Sequence, residues 1–423
     1  MNVFFAQIKF IFTDTSLRKK ILFVFFALLI FRLGANIPIP GVDTVRLQEY
    51  FANNSFLGLL NVFSGGGLSN LSLFMLGVGP YITASIIMQL LTMIFPKLRE
   101  MYHEEGELGR KKFAQYSRYL TVPLAIVQGF SLLALLRNNE VLIELTRFEQ
   151  ILNIVLITAG SMVLMWIGEL ISEYGIGNGM SLIIFAGIVA GIPSALGQLF
   201  FTFTVSQIPL FFGFIIISLL IIVGIVVITE AERPIPITYA KRVRGMKVYG
   251  GMSTYLPLRV NQAGVIPIIF ALSFLLFPQI IVNFFAGTTN QVMVYLVRAL
   301  TFFISNEWLN GGFYFFLVFI FTYFYTAVTF DPDAIATNLQ KSGAFVPGVR
   351  PGQSTSSYIA KILTRITLVG ALFLGFIAVL PFIMQAITGN PILAIGGTGL
   401  LIVVSVVLDL VKKIEAQLSM REY

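Results

Sequence analysis

The sequence predicts an all-α polytopic membrane protein with ten transmembrane helices, and three observations carry that prediction. Hydrophobic residues make up 57% of the 423 residues and charged residues only 11%, about half the charge of an ordinary soluble protein. A water-soluble particle of this size could not hide so much apolar surface, so lipid must solvate much of it. Apolar stretches of about 20 residues, the length a helix needs to cross the hydrocarbon core, recur along the whole chain. Lys and Arg gather in alternate connecting segments, as they do on the cytoplasmic side of membrane proteins.

The ten stretches are approximately 21–34, 71–95, 119–136, 151–168, 181–200, 208–229, 263–285, 312–330, 366–387 and 392–411. The first is short, and Arg32 at its end can snorkel to the interface. No small-residue cleavage pattern follows it, so it reads as a span and not as a signal peptide. The sixth runs from Ile208 to Thr229 without a charge. With the N-terminus in the cytoplasm, ten spans return the C-terminus there. All 28 Lys and Arg then fall on the cytoplasmic side except Arg32, Arg46, Arg137, Arg147 and Arg298. One missed helix would move the later basic loops to the wrong side, so this asymmetry also checks the count.

Five spans precede about residue 204 and five follow. The chain therefore divides into an N-terminal half, 1–204, and a C-terminal half, 205–423. An odd number of spans per half sends the second half into the membrane from the opposite side, so any structural repeat between halves is inverted. Such repeats place a pathway at their interface near the bilayer centre.

Two segments break the pattern. Residues 56–70, FLGLLNVFSGGGLSN, are apolar but too short to span, and Gly65, Gly66 and Gly67 favour a bend after Ser64. The segment is either a re-entrant piece lining a cavity or an external loop lying on the membrane. Residues 230–262 are long, basic and aromatic, with Pro234, Pro236 and Pro257. They read as a cytoplasmic protrusion, with a hairpin around Arg244–Gly245. It either orients the flanking spans or docks a negatively charged partner.

Several chemistries are disfavoured. Cysteine is absent and His103 is the single histidine, so neither a disulfide framework nor a Cys/His metal site is expected. His103, beside Glu104 and Glu105, reads as a solvated loop residue. The acids near the spans, including Glu169, Glu173, Glu230, Asp331 and Asp409, fall at span ends and not at mid-membrane, which weighs against a proton-coupled transporter. No P-loop pattern occurs. Gly175-Ile176-Gly177-Asn178-Gly179 follows a membrane helix instead of a strand, so it reads as a tight turn between spans four and five. Thr83, Ser85, Gln89, Gln128, Asn261 and Gln262 are polar residues in or beside spans, whose plain role is an interhelical hydrogen bond.

Several stretches resemble the SecY family in its bacterial form, the central subunits of the protein-conducting channel. They are IPIPGVD at 37–43, NVFSGGGLSNLSLFMLGVGPYITASIIMQLL at 61–91 and GIGNGMSLIIFAGIVAGIPSA at 175–195. YAKRVRGMKVYGGMSTYLPLRVNQAGVIPIIFA at 239–271, FDPDAIATNLQKSGAFVPGVRPG at 330–352 and GGTGLLIVVSVVLDL at 396–410 follow in the family's order. The resemblance implies a pore between two five-helix halves, closed at its waist by a ring of apolar side chains. Motif by motif, the ring falls on Val78 and Ile82, Ile184 and Ile188, Ile266 and Ile269, and Ile402. Val78 departs from the isoleucine common at its position. Ile82 follows Val78 and Ile188 follows Ile184 by four residues, so each pair shares a helix face. Such a ring suits a pore that passes any sequence, because branched apolar side chains deform and resist wetting.

By the same resemblance, 56–70 is the plug, a short helix in the external funnel that includes Ser64, Gly65, Gly66 and Gly67. Thr83, Gln128 and Asn261 match polar residues of a lateral gate between spans two and three and spans seven and eight. Arg242 and Arg244 match the loop that enters the ribosomal tunnel exit and meets rRNA phosphate. Arg350, in the loop 331–360, matches an arginine needed for export driven by the SecA ATPase. SecE-type and SecG-type membrane subunits, signal sequences, nascent polypeptides and the lipid bilayer are the further expected partners. SecA would hydrolyse the ATP. This chain is expected to be the conduit in a bacterial cytoplasmic membrane, with no catalytic residue, cofactor or metal of its own. Composition, topology and charge alone would favour a small-solute secondary transporter with inverted repeats, and an insertase that opens no transverse pore is a third reading.

Overall fold

The computed structural model describes residues 14–40, 61, 64, 66–68, 70–138, 141, 146–201, 208–240, 242–244, 247–249, 253–285, 290–388 and 396–419. Helices dominate. In chain order they are α1 (Thr15–Gly34), α2 (Gly79–Ile94), α3 (Pro96–His103), α4 (Gly106–Asn138), α5 (Arg147–Tyr174), α6 (Gly179–Phe201) and α7 (Ile208–Glu230). Four strands follow: β1 (Glu232–Tyr239), β2 (Arg242–Arg244), β3 (Lys247–Tyr249) and β4 (Ser253–Arg259). Then come α8 (Ile266–Phe285), α9 (Gln291–Ser305), α10 (Glu307–Thr329), α11 (Pro332–Lys341), β5 (Ala344–Phe345), α12 (Gln353–Thr388) and α13 (Gly396–Ser419).

Each of the ten apolar stretches overlaps one helix, but the ends differ in instructive ways. α4 and α12 each begin 13 residues before the stretch that located them, because hydropathy marks the lipid-facing part of a helix and not its polar extension. The second stretch behaves in the opposite way. Residues 71–78 are turns apart from Ser72, which bridges Pro38, and α2 starts only at Gly79, with Pro80 in its first turn where a missing N–H costs nothing. Its far end bends by 116° into α3. His103 is the last residue of α3, so it is helical and not part of a loop. Among the described residues, four helices, or five with the bent pair α2–α3 counted as one, are by length and composition apolar enough to cross a membrane. A helix the hydropathy reading did not anticipate, α9, occupies the connection between α8 and α10.

Local chemistry fixes several ends. Thr146 and Glu149 form a capping box at the start of α5. The Glu149 N–H donates to Thr146 Oγ1 at 3.3 Å, and the Thr146 N–H donates to Glu149 Oε2 at 2.8 Å. The 175–179 segment is the tight turn expected. Gly177 has φ +95°, and Asn178 Oδ1 accepts from the Met180 N–H at 3.0 Å to open α6. A side chain at Gly179 would collide with the Gly168 carbonyl, so α5 and α6 meet closely only because this residue is small.

The helices enclose one large apolar cluster. It draws on α1, α2, α5, α6, α7, α8, α10, α12 and α13 and includes Phe31, Ile86, Leu164, Leu275, Val318 and Leu401. A second, smaller cluster packs Ile39, Leu68, Leu71 and Met75 against Leu133, Leu136 and Ile157 of α4 and α5.

Segments 230–262 and 331–360 are joined. β1 pairs antiparallel with β4 along Glu232–Thr238, and β5 adds to its other side at Thr238 and Tyr239, giving the order β4-β1-β5. Ile235 and Leu258 from one segment and Val346 and Ile359 from the other share a third buried cluster. The prolines fit this register. The Val260 N–H donates to the Ala231 carbonyl, so alternation turns the backbone nitrogens of Pro234, Pro236 and Pro257 away from the β1–β4 ladder. β5 joins β1 only beyond the prolines, so no ladder donor is missing.

Candidate functional site

The seven candidate ring residues come from four helices of both halves. Val78 is the N-cap of α2, and Ile82 lies in its first turn. Ile184 and Ile188 lie on α6, Ile266 and Ile269 on α8, and Ile402 on α13. The structure brings all seven into the large cluster, six as buried members and Ile266 as a partly buried neighbour. Ile402 is fully buried, and the most exposed of the six, Ile82 and Ile188, reach only 9%. α6 and α13 close in on each other here. A Cβ added at Gly399 would lie 3.4 Å from Ile188 Cγ2. These side chains are packed apolar residues of one large shared core, to which both halves of the chain contribute.

The gate candidates are only partly united. Gln128 Nε2 donates to Thr83 Oγ1 at 3.5 Å, bridging α4 and α2. The Thr83 hydroxyl in turn donates to the Gly79 carbonyl at 3.0 Å. Asn261 is buried too, at 6% exposure, but its Oδ1 has no hydrogen-bond partner among the described residues. It sits in the turn before α8, against Gly370 of α12, and not in the Thr83–Gln128 pair. Resemblance by motif located the three positions but carried no information on which of them face one another. α8 itself packs against both α2 and α4.

Most of the candidate plug, including Gly65, lies outside the described residues. Its described end forms turns, with Asn61 the one helical residue. Ser64 is buried, its Oγ donating to the Asn61 carbonyl at 3.0 Å and accepting from the Leu68 N–H at 2.9 Å. Gly66 has φ +80°. The Gly67 carbonyl accepts from both the N–H and the Oγ of Ser72, at 2.8 and 3.0 Å. Asn70 Nδ2 donates to Asn36 Oδ1 at 3.3 Å, and Ile39 N–H to the Leu71 carbonyl at 2.9 Å, so this end is stitched to the chain just after α1.

Arg242 and Arg244 lie on β2, which pairs antiparallel with β3, Arg244 opposite Lys247. This is the hairpin expected around 244–245. Arg350 is exposed in the turn between β5 and α12, where its carbonyl accepts from Thr355 Oγ1 at 2.9 Å. Both basic segments therefore stand on one platform, which the sequence reading missed. Asp331-Pro332-Asp333 signals the start of α11 but not the strand pairing beyond it. Asp331 Oδ1 accepts from the Asp333 and Ala334 N–H groups at 2.9 and 3.2 Å and caps α11, with Pro332 at its first position. Glu232 and Arg259 add an ion pair across the β1–β4 edge at 3.2 Å.

Comparison with known proteins agrees with the motif reading. The family model SecY matches residues 72–411. The protein translocase subunit SecY of Streptomyces coelicolor is 44% identical over 428 residues, covering 97% of each chain. That of Halalkalibacterium halodurans is 44% identical and covers 99% of each, and that of Mycobacterium tuberculosis is 42% identical and covers 96% of each. Among solved structures, a protein-conducting channel superposes with a TM-score of 0.65 at 19% identity, over 96% of this chain and 93% of that one. Sec61 in a canine ribosome-channel complex superposes with a TM-score of 0.60 at 18% identity over the same shares. At those identities the superpositions establish the fold.

Proposed function

The chain belongs to the SecY family, and from that premise we propose that it is the central, channel-forming subunit of a bacterial protein translocase. It passes unfolded secretory polypeptides across the cytoplasmic membrane and releases hydrophobic segments sideways into lipid. One observation carries the reading most directly. The apolar residues Val78, Ile82, Ile184, Ile188, Ile269 and Ile402, from both halves of the chain, meet in one buried cluster with Ile266 at its edge. A constriction of this kind offers no polar partner that would hold a particular sequence. It passes a chain by deforming around it and reseals when the chain has left.

In this proposal the ten spans form two inverted halves, 1–204 and 205–423, with both termini cytoplasmic. The support is the helix at each apolar stretch and the Lys and Arg distribution. α2 and α4 form one side of the lateral gate, and α8 and α10 the other. The Thr83–Gln128 bond lies within one side and stiffens it by about 0.6 kcal/mol, the typical worth of an interhelical bond in a membrane. Across the gate, α8 meets α2 and α4, so the contact to be broken is mostly apolar. Asn261 is buried in the turn before α8, and its Oδ1 has no partner among the described residues that would lock this contact. An apolar signal sequence can displace an apolar seam of this kind. Segment 56–70 acts as the plug and leaves the funnel when the gate parts. Signal sequences and nascent chains are the clients. The Arg242–Arg244 hairpin docks the ribosome, the Arg350 turn docks a SecA-type ATPase, and SecE-type and SecG-type subunits complete the channel.

The test is reconstitution into liposomes with SecE-type and SecG-type subunits. A secretory precursor should become protease-protected only with the ATPase, ATP and an intact signal sequence. Unaided uptake of a small solute with no protection of the precursor would instead favour a secondary transporter.

A further inference from the structure

α9 has three faces where two would suffice. It contains 15 residues, so it is about 22 Å long, too short for a hydrocarbon core of about 30 Å. It links the end of α8 to the start of α10. The basic segments sit at the opposite ends of those two helices, so α9 lies at the other membrane surface. One face, Met293, Val297, Leu300, Phe303 and Ile304, is half buried on the protein. There Phe303 meets Phe313 of α10 edge-on, with ring centroids 5.2 Å apart.

The rest of the helix is exposed and is itself divided. At 3.6 residues per turn, Val292, Tyr295, Leu296, Ala299 and Phe302 form one flank. Val292 is 70% exposed, Tyr295 75% and Phe302 64%. The other flank holds Gln291, Arg298 and Thr301, with Val294 as its one apolar member, and all are exposed. A helix in water would gain nothing from an uncovered apolar flank, and a helix within hydrocarbon would not carry an exposed Arg298. A helix docked on protein, with one flank toward lipid and one toward water, accounts for all three faces. Trp308, 72% exposed just beyond its end, and Tyr295 are residue types that collect at membrane interfaces.

We propose that α9 is an interfacial helix that seats the Val292–Phe302 flank in the lipid leaflet opposite the basic loops and places Arg298 at phosphate level. It anchors the connected ends of the two gate helices α8 and α10 at a fixed depth. The inference rests on the reading that α8 and α10 cross the membrane.

The chain has no cysteine, so single spin labels can be placed cleanly. Leu296→Cys and Ala299→Cys report the apolar flank, and Val294→Cys and Thr301→Cys the other one. Leu220→Cys, on the charge-free part of α7 and 66% exposed, is the control for depth. Each variant is assembled with its partner subunits in phospholipid bilayers. Collision rates with oxygen, which concentrates in hydrocarbon, are compared with those of a water-soluble nickel chelate. The oxygen-to-nickel ratio at 296 and 299 should exceed that at 294 and 301 several-fold. Equal ratios on both flanks would overturn the proposal, and so would low rates for both reagents at 296 and 299, which would mean a protein covers the flank. A nickel-accessible label at 220 would overturn the membrane reading itself, separately from the role of α9.

Discussion

Gly67→Ala should make the resting channel leak. The Gly67 position has no room for a methyl group. A Cβ there would lie 2.7 Å from the Phe74 carbonyl oxygen and 2.9 Å from Ser72 Oγ. The obstacle is held in place, because the Met75 N–H donates to the Ser72 carbonyl at 3.0 Å and the Gly77 N–H to the Phe74 carbonyl at 2.8 Å. Relief therefore comes from moving residue 67 away, which breaks the two bonds its carbonyl accepts from Ser72. At about 0.5–1.5 kcal/mol each, their loss costs the closed arrangement roughly 1–3 kcal/mol. If the open state lacks these contacts, its population rises about 5- to 150-fold. The assay is anion efflux from proteoliposomes holding the assembled channel, with no precursor present. Ser72→Ala, which spares the backbone bond, should leak less than Gly67→Ala. Gly191→Ala, on α6 with no described atom within 4 Å of the added carbon, should behave as the parent. A Gly67→Ala channel that is correctly assembled and as tight as the parent would refute the argument that this segment belongs to the seal.

Further outcomes follow from the same contacts. Arg350→Glu should impair ATPase-driven export more than cotranslational insertion, because the exposed turn would repel its partner while β5 and α12 stay folded. Equal loss of both activities would count against a docking role. Leu258→Ala, at a position with no exposed surface, should cost about 2–5 kcal/mol. Amide exchange should then accelerate at 344–345 as well as at Ile235 and Ile237, since both segments share one core. Glu149 has its carboxyl held below its ordinary value by the Thr146 backbone N–H and then by the Thr146 hydroxyl. The stability it adds to the start of α5 is therefore complete above the ordinary carboxylate range and is lost as pH falls through the depressed value. Amide exchange at residues 147–150 should rise on acidification, and Glu149→Gln should remove most of that pH dependence.

Much of the fold was legible in the sequence because the bilayer imposes one strong rule on a spanning segment: long, apolar and helical. Where that rule was silent, the reading failed for identifiable reasons. Residues 71–78 are as apolar as a helix, and the local hints that the chain turns there were Gly77, with φ +58°, and Pro80 in the first turn of α2. α9 is short and apolar on two of its three faces, so a window sized for a span passes over it. The three-stranded platform was hidden because β1 and β5 lie about a hundred residues apart and Pro234, Pro236 and Pro257 argue against strands when their register is unknown. The candidate site was legible through motifs. They singled out Ile184, Ile188 and Ile402, which lie in the large buried cluster with many other apolar residues. They also grouped Asn261 with Thr83 and Gln128, of which only Thr83 and Gln128 share a hydrogen bond among the described residues, because a motif fixes position along the chain and not the direction of a side chain.

The central claim is that a polypeptide passes through the isoleucine cluster. In the cysteine-free chain, Ile188→Cys and Ile402→Cys are introduced separately into the reconstituted complex, and a precursor with one cysteine is stalled midway through export. Disulfide cross-links at both positions, dependent on ATP and on a functional signal sequence, are the predicted result. Precursor that crosses the membrane without cross-linking at either position would contradict the account and move the pore elsewhere in the fold.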